Sequence, residues 1–212
     1  MSLKSLDPRV TRLELPENPT EPTPKPELDQ LITYEVFHQK KENAAYTYVG
    51  PVHAPNEEVA FLFGKEQYSR RYACTGMWVV ETKNVMVTPY TDEAVSVYDV
   101  IRIQPENAIE NEGKTPENYE IFHLKKRGKA HQHMGTVSAK SYEGALAEAK
   151  NQFGEKKPIV NVWVVKAENI FRSETEDQDI WSTTKDKQYR EATAYRVLDK
   201  ITKYKEENSV AQ

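Results

Sequence analysis

The stretch Tyr34-Glu35-Val36-Phe37-His38 returns as Tyr119-Glu120-Ile121-Phe122-His123, and that return decides the fold. The same offset carries Lys40-Lys41 onto Lys125-Lys126, Gly50 onto Gly135, Ala54 onto Ala139 and Ala60 onto Ala145. It also carries Lys65 onto Lys150, Trp78-Val79-Val80 onto Trp163-Val164-Val165, and Asn84 onto Asn169. One constant, ungapped offset over so many pairs is the mark of a duplicated unit. The organisation read from it is a Pro-rich tail at 1–30, repeat one at 31–104 and a linker at 105–118. Repeat two follows at 119–202, with a tail at 203–212.

Each unit reads as β-β-α-β. The first strand is expected at 32–39 and at 119–125, where apolar and polar residues alternate and aromatic or β-branched types dominate. A polar turn (Lys41-Glu42-Asn43, or Arg127-Gly128-Lys129) leads to a second strand at 45–53 or 130–138. The two strands should pair as a hairpin. Asn56 and Ser141 occupy the same repeat position and are good helix N-caps. Beyond them Ala60, Phe61, Gly64 and Tyr68, or Ala145, Leu146, Ala149 and Phe153, fall on one helical face. A third strand, at 77–81 or 161–166, holds the Trp-Val-Val triplet. The expected fold class is therefore α+β: two tandem repeats in a pseudo-twofold domain, with antiparallel pairing and the helices on one side. After the third strand the copies diverge. Residues 95–101 read as a further strand in repeat one, and the acidic 171–181 segment leads toward 189–198 in repeat two. From Lys203 onward the chain reads as a fraying terminus.

Composition narrows the function classes. The chain has 212 residues and a formal charge of -4, which argues against a nucleic-acid partner. A single cysteine, Cys74, permits no disulfide or thiolate cluster within one chain, and points to a reducing, cytoplasmic setting. No stretch is apolar enough to span a membrane or to act as a signal peptide. Six prolines before residue 27, among Glu and Thr, rule out a helix or a central strand there.

Catalytic constellations are not visible. No nucleophile elbow, phosphate loop, zinc-protease helix or dinucleotide fingerprint occurs. His131 and His133 share one face of a strand, and two imidazoles could approach one metal, but two ligands are too few for a tight site. The matching residues of repeat one are Tyr46 and Tyr48. Such positions suit a surface that faces a partner. Glu35 and Glu120 interrupt apolar strands at equivalent points and could pair with a cation on a neighbouring strand. Arg70 and Arg71 close the first helix beside Tyr68 and Tyr72, a composition enriched at interface hot spots. The candidate partner-binding set is thus Tyr46, Tyr48, Arg70, Arg71, Tyr119, Lys125, Lys126, Arg127, His131 and His133. No catalytic residue, metal ligand or cofactor site is assigned.

Several of these motifs together resemble a known family. Repeat two carries Tyr119-Glu120-Ile121-Phe122, His131-Gln132-His133-Met134-Gly135, Ala139, the helix with Ala145, and Trp163-Val164-Val165-Lys166-Ala167. The segment Lys187-Gln188-Tyr189-Arg190-Glu191-Ala192-Thr193-Ala194-Tyr195 completes the pattern. It is similar to the B-subunit family of the multicomponent phenylacetyl-CoA epoxidase of phenylacetate degradation. The resemblance implies a small non-catalytic subunit that bridges a di-iron oxygenase subunit and its structural companion, with a reductase in the same system. The charge and the lack of a long apolar stretch leave no membrane or nucleic-acid partner expected. Three features depart from the family pattern: the tandem duplication, the Tyr46/Tyr48 pair in place of His-x-His, and the Pro-rich N-terminal stretch. The alternative reading is a stand-alone small-molecule or metal-binding protein that uses the His131/His133 hairpin.

Overall fold

The computed structural model describes residues 4–7, 31–69, 74–101, 115–154, 158–174, 177 and 197–209. Repeat one contains β2 (Ile32–Gln39), β3 (Thr47–Ala54), helix α1 (Glu57–Gly64) and β4 (Gly76–Glu81), after a short β1 (Lys4–Ser5). A π-helical turn, Lys65–Ser69, extends α1. Repeat two contains β6 (Glu117–Leu124), β7 (Gln132–Ala139), helix α3 (Tyr142–Phe153) and β8 (Asn161–Lys166). Both N-caps form: Asn56 Oδ1 accepts from Val59 N–H at 2.9 Å, and Ser141 Oγ accepts from Gly144 N–H at 3.0 Å. Each cap satisfies one of the helix's unbonded amides.

Each third strand is followed by a 3₁₀ turn (Thr82–Asn84, Ala167–Asn169) and a short strand, β5 (Met86–Val87) or β9 (Ile170–Arg172). Those short strands leave their own repeat. β5 pairs with β8 of repeat two, and β9 pairs with β4 of repeat one. The sheet order is β1-β5-β8-β6-β7-β3-β2-β4-β9, with every pairing antiparallel. The two repeats meet at β3 and β7, where Tyr48 N–H donates to the His131 carbonyl (2.9 Å) and His133 N–H to the Tyr46 carbonyl (2.8 Å).

Such a sheet cannot be flat. The four residues between β4 and β5 reach at most about 17 Å. Six strand spacings, the distance from β4 to β5 across a flat sheet, would be about 29 Å. The sheet therefore curls into an open barrel, whose end strands β1 and β9 do not pair with each other among the described residues. The Phe37 ring on β2 confirms it by stacking on Phe122 of β6, with centroids 4.3 Å apart although β3 and β7 lie between their strands.

Strand alternation then sorts the apolar residues into three cores. Val36, Val79 and Met77 face outward beneath Ala60 and Phe61 of α1, while Ile121, Val162 and Val164 lie beneath Ala145, Leu146 and Ala149 of α3. Phe37, Trp78, Val80, Phe122, Trp163 and Val165 fill the barrel interior. Each Trp-Val-Val triplet thus points in, out and in, which buries the strand on both faces.

Two expectations are corrected. The 95–101 segment is not a strand: it contains a single helical turn, α2 (Val97–Val100), whose Val97 and Tyr98 are buried in the helix-side core of repeat two. That segment has left its own sheet, so it has no strand partner there. Residues 203–209 continue helix α4 (Val197–Ser209), since Lys, Glu and Tyr at helical spacing carry the propensity through. Residues 8–30, 70–73, 102–114 and 178–196 lie outside the described residues, and with them Arg70, Arg71 and the Lys187–Tyr195 motif.

Candidate functional site

Two β-bulges prepare the barrel interior. On β3, Val36 pairs with Gly50 and Phe37 with Tyr48, which skips Val49. On β7, Ile121 pairs with Gly135 and Phe122 with His133, which skips Met134. The glycines take φ of +139° and +154°, a region that L side chains rarely adopt. They also lie beneath Tyr68 and Phe153, where a Cβ would collide. The bulge turns Tyr48 and His133 into the barrel.

Two pseudo-equivalent clusters result. In one, Trp163 is stacked by His131 (3.9 Å between centroids) and met edge-on by Tyr48 (4.9 Å). The Tyr48 hydroxyl donates to Glu35 Oε2 at 2.6 Å, and Thr82 Oγ1 donates to Glu35 Oε1 at 2.8 Å. In the other, Trp78 is stacked by Tyr46 (4.0 Å) and met edge-on by His133 (4.9 Å). Glu120 there accepts from His133 Nε2 (2.7 Å), Thr136 Oγ1 (2.8 Å) and Arg172 (2.7 Å). The Arg172 guanidinium also lies 5.0 Å from the centre of the Trp78 ring.

The clusters differ in electrostatics. Glu35 and Glu120 are both buried, yet Glu35 is held by neutral hydroxyls and Glu120 by two basic side chains. Burial pushes the Glu120 carboxyl up, but His133, Thr136 and Arg172 outweigh it and hold the group below the usual carboxylate range. Burial pushes His131 down to about 4, so it is neutral at pH 7, with Nε2 donating to Asn161 Oδ1 at 2.8 Å. Tyr48 is pushed far up by burial and by Glu35, which leaves its hydroxyl a fixed donor.

The expected partner-binding residues are therefore dispersed. Tyr46, Tyr48, His131 and His133 come together on the inner face of the curled sheet, His131 buried and the other three half-buried; this corrects the expectation of a surface-facing histidine pair, and the bulge at Gly135 is the reason. Both imidazole Nε2 atoms are committed to protein acceptors, and no group of three potential metal ligands occurs among the described residues. Tyr119 is a core residue whose hydroxyl donates to Glu117 at 3.3 Å. Lys125, Lys126 and Arg127 sit on the exposed β6–β7 turn, where Arg127 is fixed by the Thr91 carbonyl and by Glu93.

Two surface grooves occupy equivalent places beside the first turns of α1 and α3. One, of about 410 Å³, is lined by Tyr34, Glu57, Glu81 and Glu168; the other, of about 500 Å³, by Tyr119, Tyr142, Lys140, Lys166, Glu117 and Glu143. The first is acidic and the second is charge-balanced, with Lys166 bonded to Glu117 at 2.6 Å.

The family model for phenylacetic acid degradation B matches this chain twice, over residues 30–101 and 116–202. The chain belongs to that family. Each match spans one β-β-α-β repeat, so this family member carries the family unit in duplicate. The B component of 1,2-phenylacetyl-CoA epoxidase from Escherichia coli K12 is 32% identical over 84 residues, which is 39% of this chain and 88% of that protein. That relative therefore has room for one repeat where this chain has two. No solved structure matches the chain.

Arg172, Asn161 and Thr82 contribute to the clusters without having been signalled by any motif. One clue to Arg172 existed: its position in repeat one is held by Val87, at the edge of an otherwise well-matched unit.

Proposed function

We propose that this phenylacetic acid degradation B chain is a non-catalytic bridging subunit of a multicomponent di-iron phenylacetyl-CoA epoxidase in aerobic phenylacetate degradation. It holds the catalytic oxygenase subunit and that subunit's structural companion, with a reductase acting in the same system. The reading is supported above all by the paired architecture: two copies of one family unit, tied by exchanged strands, present related outer surfaces on opposite repeats. A pseudo-twofold body of this kind suits contact with two partner protomers at once.

The interior polar groups fit a scaffolding role. Glu35, Glu120, His131 and His133 are each spent on a partner within the fold, and their bonds fix strands against one another. On the outside, the basic turn Lys125-Lys126-Arg127 and the unlike grooves offer the two repeats different electrostatic faces, which favours partner selection and encounter. Arg70 and Arg71 belong to the same proposed contact set.

The test is a tagged pull-down from a native lysate of cells grown on phenylacetate, read by mass spectrometry. Recovery of an oxygenase pair is the expected outcome. Recovery of the chain alone, from cells shown to express those subunits, contradicts the proposal.

A further inference from the structure

We infer that the repeat-one arm, residues 88–101, is a built-in ligand of repeat two, and that it holds the repeats together without help from the connecting segment. The arm lies on repeat two as a bound peptide lies in a groove, extending the edge β8 and then burying side chains. Asn161, fully buried, donates through Nδ2 to the Thr88 carbonyl (2.6 Å) and to Thr88 Oγ1 (3.2 Å). Thr88 Oγ1 accepts in turn from Val162 N–H (2.9 Å). Further along, Thr91 N–H donates to the Val160 carbonyl (3.0 Å) and Val97 N–H to the Ile159 carbonyl (2.7 Å). Tyr98 Oη lies 2.8 Å from His123 Nε2, and Lys150 Nζ donates to the Tyr98 carbonyl at 2.9 Å. Val97, Tyr98 and Ile101 complete the core beneath α3.

Repeat two answers in kind. Ser173 stands where Thr88 stands: its N–H donates to the Met77 carbonyl (2.9 Å), and its Oγ accepts from Met77 N–H (2.9 Å). β9 borders β4, and Arg172 covers Trp78. Each third strand thus has its edge satisfied by the other repeat, and the Phe37–Phe122 stack lies across the shared interior. A repeat taken alone would expose that edge and half of the interior core. The physical partner of each repeat is therefore the other repeat, in a fixed ratio of one to one. The covalent connection serves to raise their effective concentration.

The experiment places a protease site at residues 105–114 of the full chain and cuts it after folding. The fragments should co-elute at the mass of the intact chain. Their urea unfolding midpoint should rise with protein concentration, whereas that of the uncut chain should not. Tyr98→Phe keeps the ring and removes only the hydroxyl. In the cut protein it should weaken association about tenfold, the worth of one buried hydrogen bond. Two fragments that separate while retaining native circular dichroism would overturn the inference. So would a cut chain whose midpoint is independent of concentration, or a Tyr98→Phe variant that associates as tightly as the parent.

Discussion

Replacing Arg172 with methionine isolates the contribution of one charge to the barrel interior. Methionine keeps an apolar stem over Trp78 but removes the guanidinium that donates to Glu120 at 2.7 Å. Glu120, with a side chain only 6% exposed, keeps two donors and loses its permanent cation. Breaking a fully buried pair costs about 3–5 kcal/mol. The Arg172 side chain is 38% exposed, so solvent screens part of the interaction. A loss of about 2 kcal/mol at pH 7 is expected, or about 4–8 °C in Tm for a chain of this size. The pH dependence carries the sign. Glu120 titrates below its ordinary range in the folded protein, so its stabilisation is complete above the unfolded carboxylate pKa and fades as pH falls through the folded value. The gap between parent and Arg172→Met should therefore narrow on acidification below about pH 4. Urea unfolding at several pH values, with Glu120→Gln and the double variant closing a thermodynamic cycle, measures the coupling. Coupling within about 0.3 kcal/mol of zero at pH 7, or a gap that does not change with pH, would refute the reasoning.

Other expectations are as direct. His131→Tyr installs the residue that repeat one uses at Tyr46 against its own tryptophan. His131 is pushed down to about 4, so the parent should lose on the order of 3 kcal/mol as pH falls from about 6.5 through the folded value, and the variant should lose less. Chemical denaturation across that window decides it. Gly135→Ala forces a side chain into φ +154° with its Cβ 2.6 Å from Phe153, and should cost about 2–3 kcal/mol by urea unfolding. Ser141→Ala removes the α3 cap and should cost about 1 kcal/mol in the same assay. Lys125→Glu with Lys126→Glu reverses charge on an exposed turn. It should change stability by less than about 0.5 kcal/mol while reducing co-purification of the oxygenase pair in the pull-down.

The local fold was legible because its signals are short-range. Alternation set β2, Asn56 and Ser141 set the helix starts, and the repeat doubled every observation. The Glu35/Glu120 interruption was also informative, since a carboxylate on a buried strand demands donors, and Glu120 found a cation on β9. What the chain did not disclose is long-range. Nothing in Met86-Val87 or Ile170-Phe171-Arg172 says that these strands border the other repeat; that follows from the curl of the shared sheet, which depends on both copies at once. His131 and His133 were misplaced for a related reason. Period-2 alternation predicts a shared face but not which face is inside, and the bulge at Gly135 with the curl of the sheet decides that.

The most direct test of the bridging account is native mass spectrometry of the assembly captured through this chain. The account predicts a complex in which one two-repeat chain is bound to oxygenase and companion subunits together, and which falls into smaller oxygenase units when the chain is removed. An oxygenase assembly of unchanged mass without the chain, or a chain that is never found in it, would contradict the account.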